Sequence, residues 1–302
     1  MKYRQQGFAL LLVIWALVLL TSLGLSFAHA IRVATRSAAD MTGIARSEAA
    51  ATAGLHTAIL ALVDGDPKRR WPVDGRPHTF NRDDIEVTVR IQSEAGLINL
   101  NDAPHELLAG LFKQLLPASD PEALADSAID WRDSDDTPGE KGAEADDYRR
   151  AGYTYAPANR PFTSVHELSR VKGFDNTLVR TVSPYLSTYG QGSRINVATA
   201  GLVVLSAVPG IEKDDAIRFV TLRDQPSTDS PILEYGALRA GRRYLDTRPD
   251  TDLLRIDVEV HRIAGTSQWH EQSVIRLDQT AGYQTLSREV LPVDPVRQSP
   301  NG

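Results

Sequence analysis

The hydrophobic positions of this chain change period along its length. Residues 8–28, FALLLVIWALVLLTSLGLSFA, contain no charge. At about 1.5 Å per residue they make roughly 31 Å of helix, the depth of one bilayer core. The helical spacing then continues through Ile31, Ala34, Ala38, Met41, Ala45, Glu48, Thr52, Leu55, Ile59 and Leu62, with no proline before Pro67. One helix over residues 8–63, roughly 84 Å long, is predicted. Its Ala-rich second part can pack on the chain's own globular part or on neighbouring helices.

The period next falls to two. Ile85, Val87, Val89 and Ile91 alternate with Glu86, Thr88, Arg90 and Gln92; Leu254, Ile256, Val258 and Val260 alternate with Arg255, Asp257, Glu259 and His261. Trp269, Ile275 and Leu277 share one face of a further run, interrupted at Ser273, with residues 263–267 as the intervening turn. Strands apolar on one face predict an antiparallel sheet, and the long helix has a face suited to cover it. The stretch DGDPKRRWPVDGRP, residues 64–77, reads as loop.

Residues 99–250 have helical character. Asn101 and Asp102 are placed to cap a helix starting at Pro104, and Leu124, Ala128 and Ile129 mark the apolar face of a second. Ser164 stands three before Glu167, as in a capping box. Residues 200–207 and 214–222 give two more helices. The phrase Ile98-Asn99-Leu100-Asn101 recurs as Ile195-Asn196-Val197-Ala198, and each half has a glycine turn, Val171-Lys172-Gly173-Phe174 and Val208-Pro209-Gly210-Ile211. These resemble helix-hairpin-helix turns, where glycine permits the tight backbone. The expected fold is α+β: a long transmembrane helix packed on an antiparallel sheet, with a large inserted all-α domain of two helix-hairpin-helix subdomains. The units are 1–7 leader, 8–63 helix, 64–98 first part of the α/β unit, 99–192 and 193–250 the two helical subdomains, and 251–302 the final strands and tail.

The chemistry narrows the reading. Lys2 and Arg4 stay cytoplasmic under the positive-inside rule, which points the remainder outward. Ala28-His29-Ala30 also fits a secretory cleavage pattern, which would release a soluble protein. Cysteine is absent and the net charge is -6, which argues against broad binding to nucleic acid or anionic lipid. His105-Glu106 and His166-Glu167 lack the second histidine of a zinc-protease helix, Gly190-Gln191-Gly192-Ser193 completes no nucleotide loop or nucleophile elbow, and no phosphate-binding loop occurs. Nothing proposes an enzyme. Residues 120–147 hold eleven acidic and two basic residues. A solvated acidic face is one reading. A calcium loop drawing on Asp133, Asp135, Asp136, Glu140, Glu144, Asp146 and Asp147 is the other, since calcium takes six to eight oxygens from carboxylates and carbonyls on a bendable loop.

A short basic leader ending in Gly7, then Phe8, then an apolar helix running into an amphipathic one, resembles the N-terminus of type IV pilins and type II secretion pseudopilins. The resemblance implies cleavage by prepilin peptidase between Gly7 and Phe8, with methylation of Phe8. Most members carry glutamate at the fifth mature position, where this chain has Leu12. A glutamate in hydrocarbon needs a partner; in the family that partner is the terminal amine of the adjoining subunit. Absence of this glutamate, the inserted helical region, the DWRDSDD segment and SVHELSRVKG together resemble the K-type minor pseudopilins, the general secretion pathway protein K family. The resemblance implies an inner-membrane anchor, a periplasmic C-terminal domain, a place at the pseudopilus tip with I-type and J-type minor pseudopilins, and calcium in the helical domain. The alternative is a membrane-anchored helix-hairpin-helix protein of DNA binding or uptake. Against it, Asp175, Glu212, Asp214 and Asp215 flank the turns and oppose phosphate.

Overall fold

The structure is a computed structural model. It describes residues 6–66, 68–190, 192–224, 236, 238–247, 252–262, 268–278 and 282–292. Helix α1, Gln6–Leu62, is continuous for 57 residues, roughly 85 Å. Its first two-thirds stand clear of the protein. Packing begins at Gly43 and follows a seam of small residues, Gly43, Ser47, Ala51, Gly54 and Ala58, joined by Leu55 and Ile59. The seam is offset from the stripe predicted in the sequence: Met41, Ala45 and Glu48 face solvent. Small residues win here because the helix lies close on the strands. A Cβ at Gly54 would sit 2.8 Å from Val258 Cγ1.

The seam rests on a five-stranded antiparallel sheet formed by β1 (Asp74–Arg82), β2 (Ile85–Ser93), β7 (Leu253–Arg262), β8 (Gln268–Asp278) and β9 (Gly282–Val290), in the order β1-β2-β7-β8-β9. Val87, Val89 and Ile91 of β2 join Leu254, Ile256, Val258 and Val260 of β7 under the helix. Both predicted alternations therefore face the core as expected. Two strands went unseen. β1 begins inside the segment read as loop, and its DGRPHTFNR has no apolar face. β9 is exposed on both sides, so period two leaves no hydrophobic trace. The turn expected at residues 263–267 lies outside the described residues.

The helical part is inserted between β2 and β7. In chain order it comprises β3 (Ile98–Asn99), α2 (His105–Leu115), α3 (Pro121–Arg132), α4 (Ala145–Arg150), α5 (Asn176–Val182), β4 (Leu186–Ser187), β5 (Ile195–Asn196), α6 (Leu202–Ala207), α7 (Lys213–Arg223) and β6 (Leu245–Asp246). Tiny parallel ladders bracket each half: β3 pairs with β4, and β5 with β6. The halves do not have separate cores. Residues 98–245 contribute to a single cluster that includes Leu107, Leu111, Phe112, Trp131, Leu205 and Phe219. Helices α2 and α6 cross so closely that a Cβ at Gly110 would lie 2.2 Å from the Ala207 carbonyl oxygen.

Local expectations are corrected in three places. Pro104 occupies the α2 N-cap with no side-chain bond, while Asn101 instead exchanges hydrogen bonds with the backbone of Phe162 at 2.7 and 3.0 Å. VHELSR is a 3-10 turn, and Glu167 accepts from the Thr163 amide at 3.1 Å rather than from Ser164. The glycine turns are both real, with Gly173 at φ 95° and Gly210 at φ 85°. They are not equivalent: Val208–Ile211 joins α6 to α7, whereas Val171–Phe174 joins the 3-10 turn to α5. A buried ion pair holds the inserted part on the sheet. Arg255 of β7 meets Glu94 at 2.8 and 3.2 Å and donates to the Leu186 carbonyl at 2.9 Å.

Candidate assembly helix and acidic loop

The N-terminal part of α1 is a bare apolar rod. Leu10, Leu12, Trp15, Leu20, Leu25 and Phe27 are all more than half exposed, and the helix is long and apolar enough to cross a membrane. Water cannot tolerate such a surface, so lipid or other helices must cover it. Leu12 lies within this rod at 59% exposure. Gly7 and Phe8 belong to the first turns of the same helix.

The acidic loop is shaped by two carboxylates of α3. Asp130, almost fully buried, accepts from Gly139 at 3.1 Å and from Ala143 at 2.7 Å. Asp126 accepts from the Lys141 amide at 2.9 Å and pairs with His105 at 3.0 Å. The loop is thus folded back onto the helix by its own amides. Gly142 is required at the closest point, where a Cβ would meet Asp130 Oδ2 at 1.8 Å. Burial pushes the Asp130 carboxyl up, while the Gly139 and Ala143 amides pull it back.

Inside the loop several oxygens lack partners. Glu144 is buried, and neither Oε1 nor Oε2 has a hydrogen-bond partner; Asp133 Oδ1 and Asn159 Oδ1 are in the same condition. Burial first, then the charges of Asp130, Asp133, Asp136 and Asp135, push the Glu144 carboxyl up to about 7. Asp133 is likewise raised by burial and by Asp135. Orphaned buried oxygens under mutual repulsion are costly, and a hard cation would satisfy them.

Of the candidate ligands, Asp133 and Glu144 carry the orphaned oxygens, while Asp135 and Asp136 are exposed and act on Glu144 as nearby charges. The other three do not join them. Asp146 and Asp147 form ion pairs with Arg149 and Arg150 along α4, Asp147 also accepts from the Glu144 amide at 3.1 Å, and Glu140 faces solvent. Among the described residues, no three Asp, Glu or His side chains form a ready metal cluster. Amide and carbonyl oxygens would have to complete any set, and the candidate is Asn159, whose side chain lies against Asp135 and Asp136. It was missed in the sequence because it lies far downstream of the acidic run. Its Nδ2 donates to Asp136 at 3.3 Å, which leaves Oδ1 turned inward.

Two other features bear on function. A cleft of about 750 Å³ separates the polar face of the sheet from the first helical half. Of its sheet-borne groups, Arg90 pairs with Glu259 at 2.9 Å, Arg255 with Glu94 at 2.8 Å, and Asp257 lies 3.3 Å from His270 and accepts from Gln272 at 2.9 Å. At the first glycine turn, the α5 amides that could meet a phosphate are taken. Asp175 accepts from Thr177 and Leu178, both at 2.8 Å.

These features define a class: a sheet-backed protein with a large helical insertion, carried on an apolar helix able to cross a membrane. A family model described as "Type II secretion system (T2SS), protein K" matches residues 89–191. The type II secretion system protein K of Pseudomonas aeruginosa is 30% identical over 258 residues, covering 76% of each chain. That of Pectobacterium carotovorum is 25% identical over 251 residues, covering 73% of this chain and 75% of the relative. The chain belongs to the type II secretion system protein K family, the K-type minor pseudopilins. A chain in the crystal structure of the GspK-GspI-GspJ complex from enterotoxigenic Escherichia coli shares the fold. Its TM-score is 0.57 at 18% identity, and the match covers 86% of this chain and 99% of that one. The DNA-uptake alternative finds no support in these comparisons.

Proposed function

We propose that this chain caps the tip of the periplasmic pseudopilus, together with I-type and J-type minor pseudopilins, and so supports protein export across the outer membrane. Its role is positional and not enzymatic. Prepilin peptidase cleaves between Gly7 and Phe8 and methylates Phe8. Until assembly, α1 holds the chain in the inner membrane with the sheet and helical part on the periplasmic side. The observation that carries the reading is Leu12, an uncharged side chain 59% exposed on the bare rod. It presents no carboxylate to pair with the amine of a subunit above, so the filament has no reason to continue. The inserted helical part, whose two halves share one core, supplies bulk where further subunits would dock.

The oxygens of Asp133, Glu144 and Asn159, with Asp135 and Asp136 close by, fit calcium. Bound there, the ion would neutralise the crowded carboxylates and fix the loop. The test of the tip reading is Leu12→Glu, with Leu12→Ala as control, in a secreting strain. The expected result is lost or displaced tip assembly and reduced secretion for Leu12→Glu alone. Unchanged secretion and assembly in Leu12→Glu would remove the basis of the reading.

A further inference from the structure

The two edges of the sheet are built differently. β1 carries Pro77, a register break between Asp74 and Pro77, and the charges of Arg76 and Arg82. These are the usual devices that blunt an edge against added strands. β9 has no proline; its one irregularity is an extra residue at Leu286, beyond which Ser287–Val290 run in regular register with β8, and most of its side chains are exposed. Among the described residues it pairs only with β8.

The direction of its free amides follows from the ladder. Leu291 donates to the His270 carbonyl at 2.9 Å. Amides in an antiparallel pair alternate, so those of Val290 and Arg288 turn away from β8. Val290 is 59% exposed.

β9 also stands beside α1. Arg288 Nη2 donates to Thr52 Oγ1 at 3.0 Å, and the same guanidinium is held by Glu271 at 2.6 and 3.0 Å. Just before Thr52, α1 leaves its sheet and exposes Ile31, Val33, Met41 and Ile44. A partner helix laid along that stretch brings its own globular part alongside the β9 edge.

We propose that β9 is a docking strand. It receives an extended segment of the pilin-like subunit whose helix packs on residues 31–46 of α1, and the sheet grows by one strand. This rests on the reading that the chain assembles with I-type and J-type partners. The edge fits a segment with an apolar side chain facing Val290 and no positive charge facing Arg288, because like charges placed across a ladder repel.

The test uses the full chain in detergent with its I-type and J-type partners. Val290→Pro removes an outward amide while leaving the bonds to β8, a substitution edge strands tolerate; Val290→Thr keeps the amide. Val290→Pro is expected to assemble at least tenfold more weakly than wild type, with Val290→Thr unaffected. In the unaltered chain, hydrogen exchange at the Arg288 and Val290 amides is expected to slow at least tenfold on assembly. Unslowed exchange, or a well-folded Val290→Pro that assembles like wild type, overturns the proposal. Failure of the wild-type chain to bind either partner would instead overturn the tip reading. Self-association of the chain alone that Val290→Pro abolishes would assign the edge to a second copy and overturn the named occupant.

Discussion

The two halves of the helical part share a frame and differ in what is built on it. In the first, the Asn99 side chain accepts from the Asn101 amide at 3.0 Å; in the second, Asn196 accepts from Ala198 at 2.9 Å. Leu100 donates to the strand partner Ser187 at 2.7 Å, as Val197 does to Asp246 at 3.0 Å. Arg132, near the end of α3, donates to the Leu100 and Ala103 carbonyls, and Arg223, at the end of α7, donates to those of Val197 and Ala200. Beyond the arginine the halves part. The first continues into the acidic loop with buried Asp130 and Glu144, and no described residue of the second repeats that pair. The frame sets a stable turn. The chemistry was added to one copy of it.

The largest effects should come from the frame itself. Arg132→Ala removes a half-buried guanidinium and its bonds to two carbonyl groups, which should cost about 3 kcal/mol. Arg223→Ala should cost about the same, because its two acceptors occupy the same positions after the short strand. Urea denaturation of both variants tests the equivalence. If one arginine proves dispensable and the other essential, the shared frame is only a resemblance of shape. Lysine in either place should restore less than half of the loss, since a single ammonium cannot span both carbonyls.

The added chemistry should separate the halves by a smaller margin. Calcium at a hundred times its dissociation constant should stabilise the chain by about 2.7 kcal/mol. Melting temperature with calcium against chelator measures this. The same addition to Asp133→Asn with Glu144→Gln should have little effect. Equal shifts in both proteins, or none in either, would make the loop a solvated acidic face.

The sequence exposed much of this, unevenly. The long helix was legible from its uninterrupted apolar run and lack of proline, and both core-facing strands because burial imposes a period on β2 and β7. β9 was not, since exposure on both faces leaves no period to read. The recurring Ile-Asn phrase marked the two halves, yet the arginines that complete each frame went unnoticed. They lie at different distances from their asparagines because α2 has 11 residues and α6 has 6. The acidic loop was visible as composition. Which carboxylates converge was not, because Asp130 is spent on the loop amides and Asp146 and Asp147 on arginines of their own helix. Only tertiary folding brings Asn159 to Asp135 and Asp136.

The smallest expected effect isolates the cost that the first half carries for its loop. Glu144 has its carboxyl raised to about 7, against an ordinary 4.5, chiefly by burial. The folded chain therefore binds this proton more tightly than the unfolded chain does. The resulting stability is fully present below about pH 4.5 and is lost as pH rises through about 7. With chelator present, wild type should lose on the order of 2 kcal/mol relative to Glu144→Gln between pH 5 and pH 8, after allowance for relaxation around the charge. Melting both proteins across that range tests it, and a difference that stays flat would mean that Glu144 is already ionised and satisfied. With calcium the sign reverses, because the ion binds the carboxylate and competes with the proton. Wild type should then gain on the variant as pH rises. The second half, whose described residues hold no buried carboxylate of this kind, gives no reason for either slope.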